Sequence, residues 1–169
     1  LAGHHVTFAA AFNRSYDALP PALQARLRAL SVYPFPFLVE GAAAVWGLEM
    51  DESRLAAAQE DLGRLARANL LEVEGWFEDG TPAAYRFQPA LRQAVARRVA
   101  DEERPGHLAG YAAYGAWLAR RGYVDIHRNV ALNRLVRLSL DALDAATGSL
   151  AGTEQLWHVR WLAWLKAAY

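Results

Sequence analysis

The sequence predicts a mainly α fold in two parts: helices closed by a two-stranded β-hairpin over residues 1–104, then antiparallel helices over residues 105–169. Three observations carry this expectation. Apolar residues recur at three- and four-residue spacing through most of the chain. Two short extended runs flank Glu78-Asp79-Gly80-Thr81-Pro82. Prolines and glycines stand where helices should start and stop.

Taken in order, the first helix is expected from His5 to Ala18, with Val6, Ala9, Ala10, Asn13 and Tyr16 on one stripe and Leu19-Pro20-Pro21 ending it. Pro21 can open a second helix to Leu30, because the first helical position needs no N–H; Leu23, Leu27 and Leu30 then face inward. Ser31-Val32-Tyr33 reads as a short strand or extended link, and Pro34-Phe35-Pro36-Phe37 as a stiff apolar loop, since each proline bars the helical region to the residue before it. A third helix fits Val39 to Trp46, stopped by Gly47. Asp51 or Ser53 can cap a fourth, which carries Leu55, Ala58, Leu62, Leu65 and Ala66 to about Ala68.

The run Leu70 to Phe77 alternates in part at period two, and Ala83 to Phe87 resumes it after Asp79-Gly80, a hairpin signal. Helices followed by a two-stranded hairpin follow the order of a winged helix, in which the hairpin is the wing. Pro89 opens a helix to Glu103 with Leu91, Ala94, Val95 and Val99 as its stripe. Pro105 opens another, with Leu108, Tyr111, Gly115 and Leu118 as a seam ending at Gly122. Helices over Ile126 to Ala145 and Glu154 to Tyr169 complete what resembles the start of a TPR-like helical repeat arm. In the last helix Trp157, Trp161 and Trp164 recur at i, i+4 and i+7 with apolar neighbours on most other sides. A helix apolar nearly all round is buried on more than one face, so these tryptophans are candidate interaction residues for a further helix, and the arm is expected to be truncated.

The length of 169 residues suits one domain and an added module, and 54% hydrophobic residues can build a core. Eighteen basic and eighteen acidic side chains cancel, which removes any global attraction to polyanions. The charge is unevenly placed: residues 51–80 hold eight acids against three arginines, whereas residues 81–137 hold ten arginines against four acids. A DNA-binding winged helix needs a positive helix and wing to gain from counterion release, and here both lie in the acidic segment. That argues against nucleic acid as a partner. The arginines at 86, 92, 97, 98, 120, 121 and 128 read as a solvated or intramolecular surface rather than a separate basic face.

No cysteine is present, so disulfides and thiolate metal sites are excluded. No apolar run reaches the roughly 18 residues of a membrane span and the first residues lack the form of a signal peptide, which makes a cytoplasmic location the expectation. A chain starting at Leu1 rather than methionine reads as a piece of something longer. There is no GxxxxGK[ST] or GxGxxG loop to hold a nucleotide, no HExxH spacing among the histidines, and no nucleophile elbow around Ser15, Ser31, Ser53, Ser139 or Ser149. The residues thus predict neither a catalytic constellation nor a metal site. Asp101-Glu102-Glu103, placed at a helix C-terminus, reads as a solvated acid run.

Several stretches resemble one family. Asn13-Arg14-Ser15-Tyr16-Asp17-Ala18-Leu19-Pro20 resembles the SYDxLP signature of the winged-helix domain of signal-transduction ATPases with numerous domains (STAND), the group that includes NB-ARC disease-resistance proteins and apoptotic ATPases. Leu30-Ser31-Val32-Tyr33-Pro34 and Ala42-Ala43-Ala44-Val45-Trp46 are similar to its L-S-V-F-P…A-A-V pattern, and Leu62 to Leu71 to its L-x-x-L-x-x-x-x-L-L segment. Tyr85-Arg86-Phe87-Gln88-Pro89-Ala90-Leu91-Arg92 resembles the closing motif, usually Y-R-h-H-x-L-L-R. The likeness spans about residues 5–104, and Asn129 within His127 to Leu132 echoes the start of the helical arm of bacterial members.

The resemblance implies a regulatory module without catalysis of its own, which couples the ADP or ATP state of an upstream nucleotide-binding domain of the same chain to downstream helical repeats that sense a ligand or partner. Oligomerisation on activation belongs to the same implication. In the family the histidine of the closing motif reaches the β-phosphate of ADP; Gln88 stands at the matching position, so it is the candidate phosphate sensor, with a helix cap as its plainer role. An amide donates a hydrogen bond without charge, which makes the expected sensing weaker. The alternative from the same architecture is a DNA-binding transcription regulator; a standalone enzyme is a third reading, which the lack of a catalytic constellation disfavours.

Overall fold

A computed structural model of the protein describes residues 2–75, 80, 82 and 84–125, with side chains described over 10–75, 80, 82, 84–115 and at Trp117. Among these residues the fold is mainly helical, with six helices and one two-stranded antiparallel sheet. In chain order the elements are α1 (Ala2–Asp17), α2 (Pro21–Leu30), α3 (Val39–Val45), α4 (Glu52–Arg67), β1 (Glu72–Val73), β2 (Tyr85–Arg86), α5 (Pro89–Ala96) and α6 (Arg104–Asp125). The helices expected over 126–145 and 154–169 lie outside the described residues.

Both proline-started helices form as their sequences require: α2 begins at Pro21 and α5 at Pro89. Leu23, Leu27 and Leu30 of α2 are buried. At α4 the choice between caps falls to Asp51, whose carboxylate accepts the Arg54 N–H at 2.9 Å, while Ser53 donates its hydroxyl to the same carboxylate oxygen at 2.7 Å. The Arg54 N–H and the Ser53 hydroxyl together hold the Asp51 carboxyl below the usual range.

Five local expectations are corrected. On α1 the buried residues among those described are Phe12 and the expected Tyr16, while Ala10 and Asn13 are exposed. Ser31-Val32-Tyr33 is not extended: the N–H groups of these residues bond back to Arg28, Ala29 and Leu30, so it finishes α2 as a tight turn. The helix from Pro89 stops at Ala96 rather than Glu103, because Arg97 to Glu103 turn back to meet α1 and α2. On α6 the expected Tyr111 and Gly115 are buried, but Leu108 is 53% exposed, and Ala112 and Tyr114 join the inward positions. That helix also continues past Gly122 to Asp125.

Glu72 pairs with Arg86 and Val73 with Tyr85 across the hairpin. Phe37, from the proline loop, adds an antiparallel bridge on the other edge of β2, exchanging both N–H···O bonds with Tyr85 at 2.8 and 2.9 Å. Tyr85 is thereby held on both edges and buried, and its hydroxyl accepts a bond from Gln59 of α4 at 2.9 Å. One hydrophobic cluster joins all of this, from Phe12 and Tyr16 through Leu27, Leu62 and Leu65 to Tyr111 and Tyr114. The boundary drawn after residue 104 separates α6 in sequence, yet its described turns share this core. Tyr33 meets Tyr111 and Tyr114 edge-on with ring centroids 5.2 and 5.6 Å apart, and the Leu38 N–H donates to the Tyr114 hydroxyl at 3.2 Å.

Candidate functional site

The site expected at Gln88 lies where β2 runs into α5. Pro89 fixes Gln88 in an extended conformation, φ −64° and ψ 139°, which makes it the N-cap residue of α5 by its backbone. Its side chain makes no cap hydrogen bond. Instead the amide reaches across the hairpin and Nε2 donates to Glu72 Oε1 at 2.7 Å. Only the nitrogen of the amide can meet a carboxylate, so the bond also fixes the orientation of the group. The other Glu72 oxygen, Oε2, accepts from Arg86 Nε at 2.9 Å. The Gln88 bond above all, helped by Arg86 and opposed by partial burial, holds the Glu72 carboxyl below its ordinary range.

Arg86 lies between two carboxylates, with Glu74 Oε2 at 3.7 Å from Nη1 on its second side. Glu74 Oε2 is buried and has no hydrogen-bond partner among the described residues, so its compensation there is this longer-range attraction alone. Two carboxylates face one guanidinium around Gln88, a local excess of one negative charge. An incoming anion would compete with Glu72 for the amide nitrogen and meet that excess. The arrangement seen here fastens strand to helix.

Trp157, Trp161 and Trp164, the candidate interaction residues, lie outside the described residues. Among the described residues no group of three His, Asp or Glu side chains could hold a metal ion, and no helix is long and apolar enough to cross a membrane. Of the candidate serines, Ser31 is buried with its hydroxyl donated to the Arg28 carbonyl at 2.7 Å, and Ser53 is spent on Asp51.

Of the arginines read as a solvated or intramolecular surface, Arg86, Arg92 and Arg98 have partners within the chain, and Arg97 is exposed. Arg86 binds Glu72, Arg92 donates to the Ser31 carbonyl at 3.3 Å, and Arg98 donates to Asn13 Oδ1 at 2.8 Å. The acidity before the hairpin also has a sharper location than the segment total suggests. Within α4 three acids face three arginines, so the excess sits on Asp51 and the hairpin. Asp61 of α4 pairs with Arg26 of α2 and with Arg64, and Glu60 pairs with Arg64.

A polar cluster that the sequence reading passed over joins Tyr16, Arg28 and Glu103. Arg28 grips Glu103 with a two-pronged contact, Nε to Oε2 at 3.0 Å and Nη2 to Oε1 at 2.7 Å, and donates through Nη1 to the Tyr16 hydroxyl at 3.0 Å. This grip brings the Glu103 carboxyl down to about 2 and raises the already high pKa of Arg28 further. Glu103 is therefore not part of a solvated run, whereas Asp101, two residues before it, is 97% exposed and among the described residues pairs with Arg104. Opposite charges 75 residues apart leave no periodic signature, which is why spacing alone did not find the pair.

The fold and this site define a mainly helical protein with a small antiparallel hairpin buttressed by a salt-bridged helix junction. Comparison with protein-family models, curated proteins and solved structures finds no match to the chain.

Proposed function

We propose that the chain is the regulatory winged-helix and helical-arm part of a multidomain switch ATPase of the STAND/NB-ARC kind, which links the ADP or ATP state of an upstream nucleotide-binding module to sensing by downstream helical repeats. In this reading it binds and transmits; chemistry belongs to the upstream module.

One observation carries the proposal: the closing motif Tyr85 to Arg92 is a structural junction, with Tyr85 at the centre of the hairpin, Gln88 at the turn into α5, and the Gln88 amide tied to Glu72 of the opposite strand. A group in that position can exchange one partner for another, and a switch requires a contact present in one state only. Glu72 is then the resting partner of Gln88, and a nucleotide phosphate the competing one. The charge distribution supports the same reading over a DNA-binding regulator. The α4 arginines are matched by acids on the same helix and the hairpin carries Glu72 and Glu74, so duplex binding has little counterion release to draw on.

Two measurements test the proposal. Release of a fluorescent ADP from the protein carrying both the nucleotide-binding module and these residues should accelerate in Gln88→Ala; unchanged release removes Gln88 from the sensing role. Titration of the 169-residue chain with a short DNA duplex at two salt concentrations should give no salt-dependent binding. Affinity that falls steeply with salt would instead establish the transcription-regulator reading.

A further inference from the structure

We propose that Arg28 is a tie that makes the seating of α1 and the setting of the connector into α6 one conformational event. This inference rests on contacts within the described residues and holds whichever functional reading is correct.

Three elements distant in sequence converge on this side chain. Arg28 belongs to α2, its Nη1 partner Tyr16 to the last turn of α1, and its two-pronged partner Glu103 to the connector between α5 and α6. Glu103 closes that connector as well, since Oε2 accepts the Ala100 N–H at 3.1 Å and the Glu103 N–H donates to the Ala100 carbonyl at 3.0 Å. One carboxylate thus ends the connector and anchors it, directly before α6 begins at Arg104.

A second arginine on the connector completes the arrangement from the other side. Arg98 donates to Asn13 Oδ1 at 2.8 Å, lies 3.5 Å from Asp17 Oδ1, and places its guanidinium carbon 4.2 Å from the centroid of the Tyr16 ring. Tyr16 is 4% exposed and meets one guanidinium at its hydroxyl and another over its ring. The Asn13-Arg14-Ser15-Tyr16-Asp17 stretch is therefore the seat for the connector.

The guanidinium fork is planar, and its bonds to Tyr16 and Glu103 share one rigid plane. If α1 lifts away, Arg28 loses an acceptor and Arg98 loses its ring face and both polar partners. The connector is then held by fewer bonds, and α6 starts from a looser base. The converse holds by linkage: a loosened connector weakens the seat of α1. Any event that pulls on α1 would reach the start of α6 through these contacts, a distance of more than 80 residues along the chain.

Amide hydrogen exchange on the 169-residue chain, compared among the unmodified protein, Tyr16→Phe and Glu103→Gln, tests the tie. Tyr16→Phe keeps the buried ring and deletes only the acceptor on α1. It should accelerate exchange about tenfold in the connector, residues 98–107, as well as in the last turn of α1. Glu103→Gln, which weakens the grip at the other end, should accelerate exchange in residues 12–18 by a similar factor. Amides of α4 at Leu62 and Leu65 should change less than about twofold. Acceleration confined to the element bearing the substitution overturns the proposal, and equal acceleration in α4 overturns it too, because it would mark general destabilisation. Where either variant folds poorly, Arg28→Lys serves as the second arm. It keeps the charge and loses the fork, and it must accelerate both elements together for the tie to stand.

Discussion

Gly110 of α6 lies so close to Ala44 of α3 that a Cβ built on it would stand 2.6 Å from the Ala44 carbonyl oxygen and 2.6 Å from the Val45 Cα. The obstructing atoms are backbone, which cannot rotate aside. On the facing helix Gly41 leaves room for side chains instead: a Cβ there would stand 3.1 Å from the Tyr114 ring and 3.3 Å from the Phe37 Cβ. Gly110 lets α3 and α6 approach to backbone contact, and Gly41 makes room for the Tyr114 ring between them.

Gly110→Ala should therefore destabilise the protein by about 1–3 kcal/mol, the cost of overpacking at a site that cannot relax. Gly106, four residues earlier on the same helix, has nothing within 4 Å of a built Cβ. Gly106→Ala should be neutral or stabilising by about 0.5–1 kcal/mol through helix propensity alone. Urea denaturation of the two variants gives opposite signs if the close approach is the cause.

A different reason operates at Gly47, which ends α3 with φ 66° and open space around its Cα. Gly47→Ala should cost about 1 kcal/mol from backbone conformation alone, and Gly47→Asn less, because asparagine tolerates the left-handed region better. Equal costs for both substitutions, read from the same denaturation curves, would point to packing instead.

The grip of Arg28 on Glu103 gives stability a pH signature. The Glu103 carboxyl is lowered from 4.5 to about 2, so its contribution is complete above 4.5 and is lost as pH falls from there towards 2. Partial exposure limits the loss in Glu103→Gln at neutral pH to about 1–2 kcal/mol. Unfolding free energies of the unmodified chain and the variant, measured from pH 7 to 2, should converge through that window. A gap that stays constant to pH 2 would show that the carboxylate charge is not the cause. His107 also faces this group; burial lowers its pKa from 6.5, so the unfolded chain takes up that proton first and stability falls with pH in the unmodified chain and the variant alike.

At the hairpin, Gln88→Ala removes the larger of the two hydrogen bonds that lower Glu72. The Glu72 carboxyl should rise towards its ordinary value in a carboxyl-detected NMR titration, while global stability changes by less than about 0.5 kcal/mol, since Gln88 is exposed. A Glu72 titration unmoved by the substitution would mean that Arg86 alone sets it.

Among the described residues, what could be read from the chain is what depends on neighbours in sequence. Pro21 and Pro89 start helices because a missing N–H costs nothing there, Leu23, Leu27 and Leu30 share a face because helical period puts them on it, and Asp-Gly marks a hairpin because glycine tolerates positive φ. These effects act over a few residues, and so do their signatures. The site was legible only to the extent of its position: Pro89 holds Gln88 extended at a junction, but the choice of Glu72 over the helix end as its partner is a cross-strand matter.

The sequence by itself determined a mainly helical chain with one antiparallel hairpin, because propensity, proline geometry and hydrophobic period are local. Tertiary structure alone decided that the helix from Pro89 stops at Ala96, that Leu108 faces outward while Tyr114 faces in, and that Arg28 finds Glu103. Each of these outcomes sets local preference against contacts many residues away: a guanidinium paired with a carboxylate and an aromatic cluster closed over α3 release more free energy than a few further helical residues would.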